Sequence, residues 1–148
     1  MGVNQMKKLL LAMLTIMVLS IALVSAADFS ITSLNTGSGD LGDTVSYTLE
    51  VQNDDLTETL SFTCTSTDLT DGTYTITAPS ISDINAVTPN GGTGTSTFDV
   101  TIPTESVAAG LYTSTITCTE DFNQTEQTTT LELTVNSVDS FSTNSEID

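Results

Sequence analysis

The stretch that decides the fold is VTIPTESVAAGLYTSTITCTED, which runs from Val100 to Asp121. Apolar and polar residues alternate on both sides of a central break, and this alternation is typical of half-buried β-strands. In the break, Pro103 stops one strand because proline cannot donate to a ladder, and Gly110 permits the backbone turn before the next strand. Tyr112 follows at an inward position, where its ring can be buried while its hydroxyl bonds to an upstream backbone group. We interpret Pro103, Gly110 and Tyr112 as a structural corner.

The same two-residue period continues through the chain after Ala27, and no helical period is found there. We predict seven strands, whose inward residues are Phe29 and Ile31; Val45, Tyr47, Leu49 and Val51; Leu60, Phe62 and Cys64; Tyr74, Ile76 and Ala78; Phe98, Val100 and Ile102; Tyr112, Ser114, Ile116 and Cys118; and Leu131, Leu133 and Val135. Seven strands at this spacing predict an all-β fold, a seven-stranded antiparallel immunoglobulin-like β-sandwich. The outward positions are rich in threonine, which supplies β-branching without apolar surface and also offers hydroxyls for O-glycosylation.

The N-terminal segment MKKLLLAMLTIMVLSIALVSA has two lysines, then an apolar run, and ends in Val24-Ser25-Ala26. This is the pattern of a signal peptide, and we assign residues 1–26 to it, with an N-terminal signal helix. An uncleaved membrane anchor is the alternative, since the run is close to the ~20 residues that span a bilayer. Residues 27–136 form the predicted domain, and residues 137–148 lack alternation and are predicted to be disordered. The protein is therefore expected to be extracellular or at the cell surface.

Charge restricts the function further. The chain has 2 basic and 19 acidic residues and no histidine; the basic ones are Lys7 and Lys8, and every acidic one follows Ala27. A domain without basic side chains cannot neutralise phosphates, which excludes nucleic acid and anionic membrane surfaces as partners. It also lacks a histidine or lysine base and a phosphate clamp, and no tryptophan is present to line a sugar cleft. We predict that the protein is not an enzyme.

Two residue types mark candidate covalent sites. Cys64 and Cys118 lie in the similar stretches SFTCTST and STITCTE, both at inward positions, and two cysteines in an exported chain suggest one disulfide. In an immunoglobulin-like strand order the bridge would join neighbouring strands of one sheet; two buried free thiols are the alternative. Asn123-Gln124-Thr125 is the one N-x-[ST] triplet in the sequence, so Asn123 is a candidate for N-glycosylation.

The acidic loops NDDLTE and TDLTDG suggest one cofactor. Calcium takes six to eight oxygen ligands, and loop carboxylates at one end of a sandwich can supply them. We name Asp54, Asp55, Asp68 and Asp71 as a candidate calcium site, although no fixed spacing is present and acidic residues are also ordinary in turns. No other cofactor is predicted.

The motifs at Pro103, Gly110 and Tyr112 resemble those of small immunoglobulin-like modules of prokaryotic, in particular archaeal, surface proteins, in the group called NEW3 or alpha-galactosidase-associated. GDTVSYTLEVQND, from Gly42 to Asp54, is similar to the first half of such modules, in which a Gly-Asp precedes a long strand that ends in asparagine. The resemblance covers roughly residues 42–136. It implies a β-sandwich surface or accessory module without catalysis, and it implies no ligand residues.

Two functions follow as hypotheses. The first is a non-catalytic exported structural or adhesion module whose partners are other cell-envelope proteins or copies of itself, with membrane contact only through an uncleaved N-terminus. The alternative is a subunit of an extracellular filament assembled by β-strand donation, in which the first strand, Phe29 to Leu34, pairs with a neighbouring subunit.

Overall fold

The computed structural model describes residues 28–137. The predicted signal peptide and residues 138–148 of the predicted tail lie outside the described residues. Ten strands form in the described part: β1 (Phe29–Leu34), β2 (Gly37–Gly39), β3 (Thr44–Asn53), β4 (Leu60–Ser66), β5 (Leu69–Thr70), β6 (Thr75–Ile76), β7 (Ile84–Val87), β8 (Gly92–Thr101), β9 (Gly110–Glu120) and β10 (Glu126–Val135). No helix occurs between residues 28 and 137. The prediction of an all-β protein is therefore confirmed.

The strands form two sheets. The smaller sheet has the order β1-β3-β8, and the larger has the order β2-β10-β9-β4-β7, with β5 and β6 attached beside β9. All pairs are antiparallel except β2 with β10, which run parallel from Gly37 opposite Leu133 to Gly39 opposite Val135. The prediction of a wholly antiparallel arrangement is therefore wrong at this pair. The reason is that the chain changes sheets between β1 and β2, in the stretch NTGSGDLGD of residues 35–43, whose composition is typical of turns.

One hydrophobic core lies between the two sheets, and the inward residues of the long strands fill it. The ring of Phe29 in β1 lies 4.7 Å from that of Phe62 in β4, centroid to centroid, which joins the two sheets directly. Tyr47 and Phe98 stack within the smaller sheet, with centroids 5.6 Å apart. Alternation in the sequence predicted these positions because every second side chain of a strand faces the same side.

The close approach of β2 to this core requires glycine. A Cβ added at Gly37 would lie 2.5 Å from Val45 Cγ1 and 2.7 Å from the Tyr47 hydroxyl. Tyr47 is fully buried, and its hydroxyl donates to the carbonyl of Glu132 in β10, 3.0 Å away. The absence of a side chain at Gly37 thus lets the parallel pair form above Tyr47.

The predicted strand of Tyr74, Ile76 and Ala78 is wrong in extent. Only Thr75 and Ile76 form β6, and Tyr74 is 40% exposed. The Asp71 carboxylate accepts hydrogen bonds from the backbone N–H groups of Thr73 and Tyr74, at 2.8 and 2.7 Å. These bonds close a side-chain turn, and Tyr74 therefore belongs to the turn rather than to a strand.

Candidate functional site

The cysteine bridge is the first of the predicted sites. Cys64 in β4 and Cys118 in β9 stand directly opposite each other in the ladder and are joined by a disulfide. Their Cα atoms are 4.1 Å apart, close to the spacing of a non-hydrogen-bonded antiparallel pair. Both residues are buried. The predicted cross-strand disulfide is confirmed, and it ties two central strands of the larger sheet.

The predicted corner follows β8. Tyr112 is fully buried in β9, and its hydroxyl donates to the carbonyl of Ala108 at 2.9 Å and accepts from the Ala108 N–H at 3.0 Å. Burial raises the pKa of this phenol, and the nearby negative charge of Asp71 raises it further. The ring and the hydroxyl of Tyr112 together hold the loop that joins β8 to β9.

Pro103 and Gly110 frame the same loop. Backbone pairing at the end of β8 extends to Ile102, whose N–H donates to Asp43 and whose carbonyl accepts from Gly42, and Pro103 comes next. Gly110 opens β9, but a Cβ added there would meet no heavy atom within 4 Å. Crowding by other residues therefore does not require glycine at position 110, but its positive φ of 159° favours glycine, because residues with a Cβ rarely adopt it.

Each of the four aspartates of the candidate calcium site accepts hydrogen bonds from other groups of the domain. Asp55 accepts from the N–H groups of Thr57 and Glu58, Asp71 closes the turn described above, and Asp68 accepts from the N–H of Ala78. The bonds from Glu58 and Thr57 lower the pKa of Asp55, and those from Tyr74 and Thr73 lower the pKa of Asp71. Asp54 accepts from Ser30 and Gln52.

Between residues 28 and 137 no three acidic, cysteine or histidine side chains come close enough to hold a metal ion. Calcium binding stays a prediction.

The candidate glycosylation residue, Asn123, is exposed in the loop between β9 and β10. The buried side chain of Glu120 organises this loop, because its two carboxylate oxygens accept from the N–H groups of Phe122 and Asn123. Phe122 is 87% exposed, and it borders two open depressions of about 360 and 300 Å³ that also reach Thr59 in the β3–β4 loop. This loop therefore presents an aromatic side chain and an amide side by side.

Two of the buried polar residues that sequence reasoning missed lie at the ends of long strands. Glu120 continues the inward series of β9 past Cys118, and Asn53 continues that of β3 past Val51. The Asn53 amide donates to the carbonyls of Glu58 and Val87, both at 2.9 Å, and its oxygen accepts from the N–H of Asp55. The parity of both positions could have identified them, because a polar residue on the inward side at a strand end is placed to bond to loop backbone.

A pH dependence follows from Tyr47. Burial raises its pKa from 10.0 to about 12. Because the folded state keeps this proton while the unfolded chain loses it, Tyr47 contributes stability that is complete below pH 10 and is lost as the pH rises to 12. At ~1.4 kcal/mol for each pKa unit the full effect is at most about 3 kcal/mol, and we expect about 2 kcal/mol of it to be lost between pH 10 and pH 12. Urea titrations of the wild type and Y47F at pH 9 to 12 measure this loss; an equally steep fall in Y47F would contradict the assignment.

Comparisons with known proteins show similarity of fold alone. No protein-family model and no curated protein sequence matches the chain. A family 123 glycoside hydrolase from Clostridium perfringens has a TM-score of 0.52 at 13% identity, and the match covers 70% of this chain and 23% of that protein. A FixG-related protein from Vibrio parahaemolyticus has a TM-score of 0.50 at 11% identity, covering 74% of this chain and 98% of that one. The CooA pilin subunit of enterotoxigenic Escherichia coli is similar at a TM-score of 0.45 and 12% identity, covering 76% and 99%. The chain thus spans less than a quarter of the hydrolase, and the resemblance to the NEW3 group stays a prediction.

Regarding membranes, residues 28–137 contain no helix of the length and apolar character needed to cross a bilayer.

Proposed function

We propose that the protein is a non-catalytic module of the cell surface or extracellular space, with an immunoglobulin-like sandwich fold and a structural or adhesive role. The observation that carries this proposal is the buried Cys64–Cys118 disulfide. Disulfides persist in oxidising compartments and are rare in the cytosol. A chain that depends on this bridge belongs outside the cytoplasm, in agreement with the signal peptide predicted for residues 1–26.

The use of the polar side chains supports a role without catalysis. The buried polar groups Asn53, Glu120 and Tyr112 bond to loop backbone, and so do the carboxylates of Asp55 and Asp71. A catalytic site instead keeps its acids and bases directed at a substrate. Contacts with a partner then fall to the exposed loops and to the threonine-rich outer faces. The partners we propose are other cell-envelope proteins or further copies of this chain.

A filament subunit assembled by strand donation is the second candidate, and one observation favours it. β1 is one of the two edge strands of the smaller sheet, pairs only with β3 among the described strands, and has an irregular register between Ile31 and Ser33. Its Phe29 is buried against Phe62, so a donated β1 would bring its own hydrophobic anchor into a neighbour's core. Repulsion between acidic subunits opposes such assembly.

Secretion and oligomeric state test these two candidates. We expect the full chain, expressed with its own N-terminus in a secreting host, to accumulate outside the cytoplasm with both cysteines resistant to alkylation until reduced. Light scattering from micromolar to millimolar concentration is expected to give a monomer. Retention in the cytoplasm with two reactive thiols would overturn the proposal.

A matched pair of variants tests the filament alternative against a monomeric module. A concentration-dependent ladder that is lost in F29D while F29D keeps the circular dichroism of the folded domain, and that is unchanged in the exposed-site variant T32D, would establish strand donation by β1. The same ladder in F29D would attribute assembly to another surface.

A further inference from the structure

The loop that carries Asn123 is rigidly organised. Glu120 is 1% exposed, and besides its two carboxylate bonds its carbonyl accepts from the N–H of Gln124 at 3.0 Å while its own N–H donates to the carbonyl of Thr125 at 2.9 Å. Gln124 adopts a positive φ of 57°, a conformation that is uncommon for residues other than glycine. These contacts fix the backbone of the whole triplet from Asn123 to Thr125.

One atom in this loop is unexplained by the fold. The Thr125 hydroxyl oxygen is shielded from solvent, and among the solvent-shielded side-chain nitrogen and oxygen atoms of residues 28–137 it alone has no hydrogen-bond partner. A buried hydroxyl without a partner destabilises the folded state, whereas valine would fill the same volume without that penalty. The hydroxyl at position 125 therefore serves something other than packing.

The triplet Asn123-Gln124-Thr125 indicates what that role is. Enzymatic N-glycosylation requires an asparagine followed two residues later by a hydroxyl-bearing side chain. We propose that Asn123 carries an N-linked glycan that is attached before the β9–β10 loop closes. The proposal rests on the export proposed above, since the modification is that of exported chains.

The order of events follows from the geometry. In the folded loop the Asn123 side chain is exposed while the Thr125 hydroxyl is shielded, so an enzyme cannot engage both in this conformation. Before the loop closes, the amide nitrogen of Asn123 attacks the anomeric carbon of a diphosphate-activated oligosaccharide. One C–N bond forms, the C–O bond to the diphosphate breaks, and an amide proton is lost as the diphosphate leaves. Closure then buries the hydroxyl that the enzyme used.

Phe122 has a place in this arrangement. It is 87% exposed and directly precedes the acceptor residue. The first sugar on Asn123 can lay its C–H face on the phenyl ring, which removes apolar area of both from water. We expect the glycan to stabilise the loop through this contact.

The occupancy experiment uses the full chain in a secretory host that modifies Asn-x-Thr triplets. Host competence is established first with the variant E146T, which completes a second triplet at Asn144. Because no lysine or arginine follows Lys8, trypsin does not cut the domain, and a Glu/Asp-specific protease is used before mass spectrometry. We expect a glycan on Asn123 in the wild type and in T125S, and at least a tenfold loss of occupancy in T125V and N123Q. A bare Asn123 beside a modified Asn144 would overturn the proposal.

The timing is tested with unmodified protein made without glycosylation machinery. Purified oligosaccharyltransferase and an oligosaccharide donor are offered the oxidised, folded chain and the reduced, unfolded chain. We expect at least tenfold faster modification of the unfolded chain; equal rates would overturn the proposed order. Circular dichroism compares the folding of unmodified T125V with that of the unmodified wild type. This comparison distinguishes loss of the glycosylation triplet from loss of the fold. Cytoplasmic retention in the natural host would refute export without changing either result.

The contact with Phe122 has its own readout. We expect F122A to keep its glycan, while the rise in melting temperature that the glycan gives the wild type is lost. An equal rise in F122A would remove Phe122 from the proposal.

Discussion

Replacing both cysteines by alanine is expected to lower the free energy of unfolding by about 4 kcal/mol. The bridge closes a loop between positions 54 residues apart, and the chain-entropy estimate for a loop of that length gives ~4 kcal/mol. Denaturant unfolding of the oxidised wild type and of C64A/C118A measures the difference. A stabilisation of this size is a large part of the ~5–15 kcal/mol that holds a domain folded.

Reduction of the wild type provides the control for this effect. A reducing agent should bring the wild type close to the double variant and leave the double variant unchanged, since the chain has 2 cysteines in all. A loss under 1 kcal/mol in both comparisons would mean that the unfolded chain is already restricted around these positions.

The second large effect is expected at the corner. Y112A should cost about 3–5 kcal/mol, because it removes a fully buried aromatic ring from the core. Y112F keeps the ring and removes the hydroxyl that serves both backbone groups of Ala108, so its cost should be about 1–3 kcal/mol. Urea unfolding of the two variants separates packing from hydrogen bonding.

Tyr74 offers the matched control on the same protein. It is 40% exposed, and the turn around it is closed by backbone bonds to Asp71 rather than by its own hydroxyl. We expect Y74A and Y74F to change stability far less than their counterparts at position 112. Equal losses at both tyrosines would show that Tyr112 holds no special position.

The long strands could be predicted because their alternation is strict. β3, β8, β9 and β10 bury every second side chain through most of their length, and the predicted inward residues of these strands are buried, except for the half-buried Val45. The pairing of the two cysteines with each other could also be predicted from parity. Both face inward, on strands that are neighbours in an immunoglobulin-like order.

Two of the short strands, β2 and β7, could not be predicted, for a physical reason. β2 is Gly37-Ser38-Gly39, a composition typical of turns, and it exists because β10 lies beside it and glycine fits over Tyr47. β7 lacks alternation, and its Ala86 has a positive φ of 56°. Both strands are imposed by tertiary contacts, which override local preference.

The candidate site was only partly readable from the sequence. Asn123 is identified by a local triplet, but the shielding of the Thr125 hydroxyl depends on the loop that Glu120 holds. Likewise the acidic loops suggested a metal, while the backbone bonds that occupy Asp55 and Asp71 depend on turn geometry. Residue type determines which chemistry a side chain can perform, and the fold determines which side chains are already occupied by hydrogen bonds within the domain.

The parallel pairing of β2 with β10 has a mechanical consequence. When the two ends of the domain are pulled apart, these strands are drawn in opposite directions along their length, so the bonds from Gly37 to Gly39 are loaded in shear and together rather than one after another. Beyond that barrier, the disulfide keeps the segment from Cys64 to Cys118 from extending. At ~3.3–3.6 Å per residue, roughly 180 Å of chain is withheld from stretching. A module held between a cell and its surroundings would yield under load by a short, fixed length.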